Sequence, residues 1–101
     1  MEQAHLHLIK WGLSKGYIIE VDIEGESEYR GTSFEEAKEA SEAGEQGCIY
    51  LITGTGETDY SWFAYVHDWN QKPDEKIYDY GINDVSTAWE RDYLEHCKSV
   101  A

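Results

Sequence analysis

Apolar positions recur along this chain in two rhythms. Residues 3–15, QAHLHLIKWGLSK, set Leu6, Ile9 and Leu13 on one stripe, widened by Leu8 and Trp11, which predicts an amphipathic helix. Lys15 and Gly16 then supply a cation in the last turn and a glycine stop. YIIEVDI changes to strict alternation, with Tyr17, Ile19, Val21 and Ile23 inward, the pattern of a half-buried strand. EGES reads as a turn and EYRGT as the return strand of a hairpin.

TSFEEAKEASEAGEQG predicts a second helix. Ser33 and Glu36 form an S-x-x-E capping box, in which each side chain satisfies an amide at the helix start. Phe34, Ala37 and Ala40 give it a narrow apolar face and shallow packing, and Gly44 or Gly47 ends it. CIYLIT and DYSWFAYVH flank the glycine-bearing loop GTGE, a hairpin signal. In the second of these strands Trp62, Ala64 and Val66 share one face, while Phe63 and Tyr65 share the other. A strand apolar on both faces is expected to be central and covered on both sides, with Trp62 and Phe63 in the core. KIYDYG follows the loop DWNQKPDE as a short edge strand. Asp84 caps a last helix through about Lys98, with Val85, Ala88, Trp89, Tyr93 and Cys97 inward. The order α-β-β-α-β-β-β-α predicts an α+β fold, a mostly antiparallel sheet of about five strands with three helices. A chain of 101 residues makes a single globular domain, 1–101.

KWGLSKGYIIEV, an acidic turn with a glycine, an acidic helix and then PDEKIYDYGIND occur in that order. This succession resembles a group of small phage-encoded proteins. Those open with a helix ending in Ala-Leu-Ser-x-Gly-Tyr, followed by a strand and an Asp-Gly-Glu-Glu turn. They also carry Pro-Asp-Glu before a late Asp-Tyr and an aromatic-containing C-terminus. Here the turn departs to EGESE, and TGETDYSWFAY is richer in aromatics. The resemblance implies a small accessory protein acting inside an infected bacterium, and lends no catalytic residues.

Charge sharpens the picture. Twenty-one acids against eight bases leave a net charge of −13, beyond the magnitude of about 2–8 usual in a small domain. Residues 20–46 alone hold ten acids and two bases, a balance of −8. Such a field repels nucleic acid and anionic membrane, so a basic protein is the expected partner. No apolar run approaches a membrane span and the N-terminus lacks a basic-then-apolar signal, so an intracellular location is expected; the resemblance to phage-encoded proteins implies the cytoplasm of an infected bacterial host. Cys48 and Cys97 read as ordinary thiols, not a disulfide framework.

Little points to catalysis or to a cofactor. GTGET lacks the Gly-Lys-Ser/Thr ending of a phosphate loop. His5 and His7 diverge on a helix, and Asp68, Asp74 and Asp79 lack EF-hand spacing. Two sets of residues carry the functional expectation instead. The acids Glu20, Asp22, Glu24, Glu26 and Glu28 alternate along the first hairpin, and Glu35, Glu39 and Glu42 decorate the second helix. Alternate strand residues step roughly 6.6 Å and these helix acids roughly 4.5–6 Å. Side by side, the two rows would imitate the charge of a duplex, which carries one phosphate per about 1.7 Å of axis. Tyr65, Trp69, Tyr78 and Tyr80 are the aromatic candidates, since exposed tyrosine and tryptophan dominate binding hot spots.

The leading expectation is a non-enzymatic acidic inhibitor of a host nucleic-acid-binding protein. The alternative is an adaptor or inhibitor binding through the aromatic edge SWFAYVHDW, with charge serving solubility. A small enzyme using paired carboxylates is the third. Mimicry requires both acidic clusters on one face; on opposite faces, the strand row reduces to solubility.

Overall fold

Alternation in the first hairpin is realised as two strands joined by the tightest turn available. The computed structural model describes residues 3–66 and 76–100. Its elements are α1 (Ala4–Ser14), β1 (Ile18–Ile23), β2 (Glu26–Gly31), α2 (Phe34–Glu42), β3 (Gln46–Ile52), β4 (Tyr60–Val66), β5 (Ile77–Tyr80) and α3 (Asp84–Val100). The expected α+β order therefore holds. Glu24 and Gly25 turn the β1–β2 hairpin with φ of 53° and 83°, the left-handed pair that a two-residue hairpin of matching twist requires.

The five strands lie in the order β2-β1-β3-β4-β5, and every neighbouring pair is antiparallel. The chain leaves the edge strand β2, runs through α2 and returns as β3 on the far side of β1. One parity of the sheet is sealed: Ile19, Val21, Ile49, Leu51, Phe63 and Tyr65 are fully buried. They meet Ala4, Leu8, Ile9 and Trp11 of α1, Ala37 of α2, and Trp89 and Tyr93 of α3 in one core. All three helices thus pack on a single face.

Three local expectations are corrected. The buried stripe of α1 is Ala4, His5, Leu8, Ile9, Trp11 and Gly12, while Leu6 and Leu13 stay half-exposed. Small residues decide this rotation, because a Cβ on Gly12 would lie 2.7 Å from Leu51 Cδ2; the helix sits down on the sheet through its glycine. The capping box of α2 is half made. Ser33 Oγ accepts from the Glu36 N–H at 3.3 Å, but the Ser33 N–H donates to the Tyr29 hydroxyl at 2.8 Å and not to Glu36. Finally α3 is capped one residue earlier than Asp84. Asn83 Oδ1 accepts from the Ser86 N–H, and the Asn83 N–H donates to Ser86 Oγ, both at 2.9 Å.

The glycines expected to stop α2 do something else. The helix closes at Ala43 in an ordinary right-handed conformation. A Cβ on Gly44 would meet Ile23 Cγ2 at 3.0 Å, and one on Gly47 would meet the Asp22 carbonyl oxygen at 2.5 Å. Both are packing glycines. The terminal helices pair through indole donors: Trp11 Nε1–H to Asp92 at 2.7 Å and Trp89 Nε1–H to His7 Nδ1 at 3.2 Å. Among the described residues no helix is long and apolar enough to cross a membrane.

Candidate binding face

With every helix on one side, the opposite parity of the sheet has no cover among the described residues. Cross-strand register arranges it in rows. Ile18, Ile52 and Tyr60 form the first row; Arg30, Glu20, Tyr50 and Trp62 the second; Ser27, Asp22, Cys48, Ala64 and Asp79 the third. Ile18 is 37% and Tyr60 45% exposed, large apolar surfaces that a monomeric sheet ordinarily hides.

The β3–β4 loop turns this face into a groove. Asp59 holds the loop: its carbonyl accepts from Thr53 N–H at 2.9 Å and its carboxylate from Gly56 N–H at 2.9 Å. Loop residues 54–57 and Asp59, together with Glu20, Asp22 and Arg30 of the first hairpin, line a groove of about 610 Å³ with the apolar and aromatic side chains of Ile18, Tyr50, Ile52 and Tyr60. The rings of Tyr50 and Tyr60 lie 5.4 Å apart at 75°. Four carboxylates, Glu20, Asp22, Glu57 and Asp59, stand against one base, Arg30, so the lining carries −3.

The electrostatics within the groove are specific. Arg30 Nη1 lies 3.3 Å from Glu20 Oε1 across the strands. Asp22 Oδ1 is buried and accepts no hydrogen bond from the protein. Burial, and then the Glu20 charge, raise the Asp22 carboxyl above its ordinary pKa. Tyr50 is pushed up to about 12 by burial, then by its hydrogen bond to Cys48 and by nearby negative charge including Asp22. Burial likewise pushes the Cys48 thiol up, so it is a poor nucleophile.

The two acidic clusters do not share a face. Glu20 and Asp22 point from the uncovered side, whereas Glu35, Glu39 and Glu42 ride on α2, behind the sheet. Glu24 sits at the turn and Glu26 begins β2, exposed. A register shift between Val21 and Asp22 leaves Glu28 as the extra residue of a bulge, and it borders a shallow groove with Glu36 and Glu39 on the helix side. Two of these acids have cationic partners. Glu20 faces Arg30, not another acid, and Glu42 lies 3.8 Å from Lys38.

The aromatic candidates are largely replaced. Tyr65 is fully buried, stacks on His5 at 5.5 Å and donates its hydroxyl to the Ser41 carbonyl at 2.9 Å; it is core, not an anchor. Tyr80 stacks on Phe63 at 5.7 Å, and its hydroxyl donates to Glu90 at 2.7 Å, so it too is committed to packing. Tyr78 is 61% exposed, and Trp69 lies outside the described residues. Trp62, expected in the core, faces the uncovered side, its indole lying against Gly81. Among the described residues, the strand register places Tyr50, Tyr60 and Trp62 on the uncovered side, and Tyr78 is exposed as expected. Parity held the signal: Tyr50 shares a face with Ile52, and the hairpin register carries that face to Tyr60 and Trp62.

Terminal histidines do converge, with His7 and His96 rings 4.8 Å apart, yet among the described residues no group of three His, Cys, Asp or Glu side chains is placed to hold a metal ion. No family model, no curated protein and no solved structure matches this chain.

Proposed function

We propose that this chain is an acidic protein-binding module that acts by occupancy, docking its uncovered sheet face on a basic surface of another protein. The observation that carries this reading is the combination on one face of exposed apolar side chains, an aromatic corner and a lining charge of −3. Apolar and aromatic area supplies affinity, and the net charge of −13 steers encounter with a cationic partner. A host nucleic-acid-binding protein is the partner class of this proposal: its phosphate-binding surface is cationic, and the phage-like succession of motifs supports a bacterial setting. Duplex mimicry by two adjacent rows forms no part of the reading, because α2 holds its acids behind the sheet.

The test compares the two faces with a partner isolated from bacterial lysate and titrated against purified protein. Tyr60→Ala with Trp62→Ala is expected to weaken binding by about a hundredfold, the scale of two modest hot-spot losses. Charge reversal at Glu35, Glu39 and Glu42 removes long-range steering alone and is expected to act mainly on the association rate. A greater loss of affinity from the α2 reversal than from the sheet-face pair would sink the proposal.

A further inference from the structure

The groove carries a narrower inference, which rests on the docking reading above. We propose that the corner between Tyr50 and Tyr60 seats an arginine side chain of the partner, its guanidinium bonded by Asp22 and Glu20.

Three observations converge on that ligand. Asp22 Oδ1 is a buried acceptor with no donor from the protein. Asp22 lines the groove, and rotation of a carboxylate left short of donors presents its oxygens to a donor that enters with the ligand; a cationic donor makes the strongest such bond. Second, the Tyr50 and Tyr60 rings at 75° make two walls of a corner, and ring faces attract a cation. Third, the protein shows the chemistry on itself. Arg30 lies on Glu20 at 3.3 Å, a guanidinium on one groove carboxylate, while Asp22, two residues along the same face, has no such partner.

Arginine fits better than lysine. Its planar, weakly hydrated head stacks on tyrosine and offers a fork of N–H donors, whereas an ammonium is a strongly hydrated point charge. Glu20 and Asp22 stand in adjacent rows of β1, so one fork can address both.

The experiment titrates isotope-labelled protein with oligo-arginine and oligo-lysine peptides of equal length, following backbone resonances and the dissociation constant. Expected are shifts centred on Tyr50, Tyr60 and residues 54–59, with the arginine peptide bound at least about threefold more tightly. Asp22→Asn should weaken the arginine peptide about tenfold, the worth of one charge-assisted bond. Arg30→Ala, which removes the internal competitor, should strengthen it about threefold. Equal affinity for the two peptides, indifference to Asp22→Asn, or shifts centred on α2 would each overturn the seat. Failure of the seat is separable from failure of the docking reading. If Trp62→Ala still releases the protein partner while peptides ignore Asp22, only the seat falls; if it does not, both fall.

Discussion

Gly47 is where the fold tolerates least, and replacing it with alanine tests the geometry beneath the binding face. A Cβ there would lie 2.5 Å from the Asp22 carbonyl oxygen, 2.9 Å from the Tyr65 hydroxyl and 3.0 Å from Tyr65 Cε1, where ordinary contact begins at 3.4 Å. The first of these atoms is backbone, in a strand hydrogen-bonded to the glycine's own, so it cannot swing aside. Overpacking of this kind costs about 1–3 kcal/mol. Displacing the Tyr65 hydroxyl also breaks its bond to the Ser41 carbonyl, and a stranded buried acceptor adds about 1–3 kcal/mol. Reduced freedom of the unfolded chain returns about 0.4–1 kcal/mol. These ranges combine to a loss of about 1–5 kcal/mol, centred near 3, a large share of the 5–15 kcal/mol typical of a domain. Thermal unfolding followed by circular dichroism should show Tm lowered by about 10–25 °C. Gly54→Ala is the control. Its Cβ would lie 2.5 Å from Asp59 Oδ2, the end of an exposed side chain and not backbone, so the cost should not exceed the loss of the Asp59–Gly56 hydrogen bond, about 1 kcal/mol. A Gly47→Ala variant within about 0.5 kcal/mol of the parent would refute the close approach of β1 and β3, and with it the placement of Asp22 in the groove.

Tyr65→Phe keeps the ring on His5 but strands the Ser41 carbonyl, so the urea midpoint should fall by the equivalent of about 1–2 kcal/mol with an unchanged slope. Asp22→Asn should leave stability at neutral pH unchanged or raise it by up to about 1 kcal/mol, since a charged, unsatisfied acceptor is removed, even as it weakens the cationic ligand. The sign with pH follows: because the folded state raises Asp22, the native protein holds that proton more tightly, and this residue's penalty shrinks as pH falls through the folded pKa. Stability measured on mild acidification should therefore converge between parent and variant. At the alkaline end, Tyr50 and Tyr80 titrate near 12 against about 10 when unfolded. Their neutral forms contribute fully below pH about 10, and that contribution is lost as pH rises toward about 12. Tyrosinate absorbance should lag behind that of free tyrosine and rise together with loss of the circular dichroism signal.

Element order was legible because period is a strong signal: alternation in YIIEVDI and the capped acidic run after Ser33 each admit one reading. Choice of face was not. In β4 both parities are apolar, so whether Phe63 and Tyr65 or Trp62 and Ala64 enter the core depends on where the helices pack, a long-range fact. The same holds for α1, where bulk favoured Leu6 and Leu13 but Gly12 and Ala4 allowed the closer approach that won. Gly44 and Gly47 illustrate a different ambiguity, since a glycine required for a left-handed stop and one required for lack of a Cβ look identical in a string. Glu28 was displaced by a bulge that alternation does not announce. Only two of the eight candidate acids, Glu20 and Asp22, and none of the buried aromatic candidates, contribute to the groove.

The acidic hairpin has a consequence for self-association. β2 is an edge strand, with one line of backbone donors and acceptors unsatisfied by the sheet and an exposed apolar face alongside. Such an edge invites a second copy to extend the sheet, and then a third. Glu26 and Glu28 stand on that edge, Glu24 projects at its turn, and the bulge at Glu28 bends the ladder out of register. A second copy approaching β2 would bring its own carboxylates against these, an arrangement that like charges disfavour. The acids of this hairpin thus disfavour extension of the sheet at β2 while leaving the apolar face uncovered.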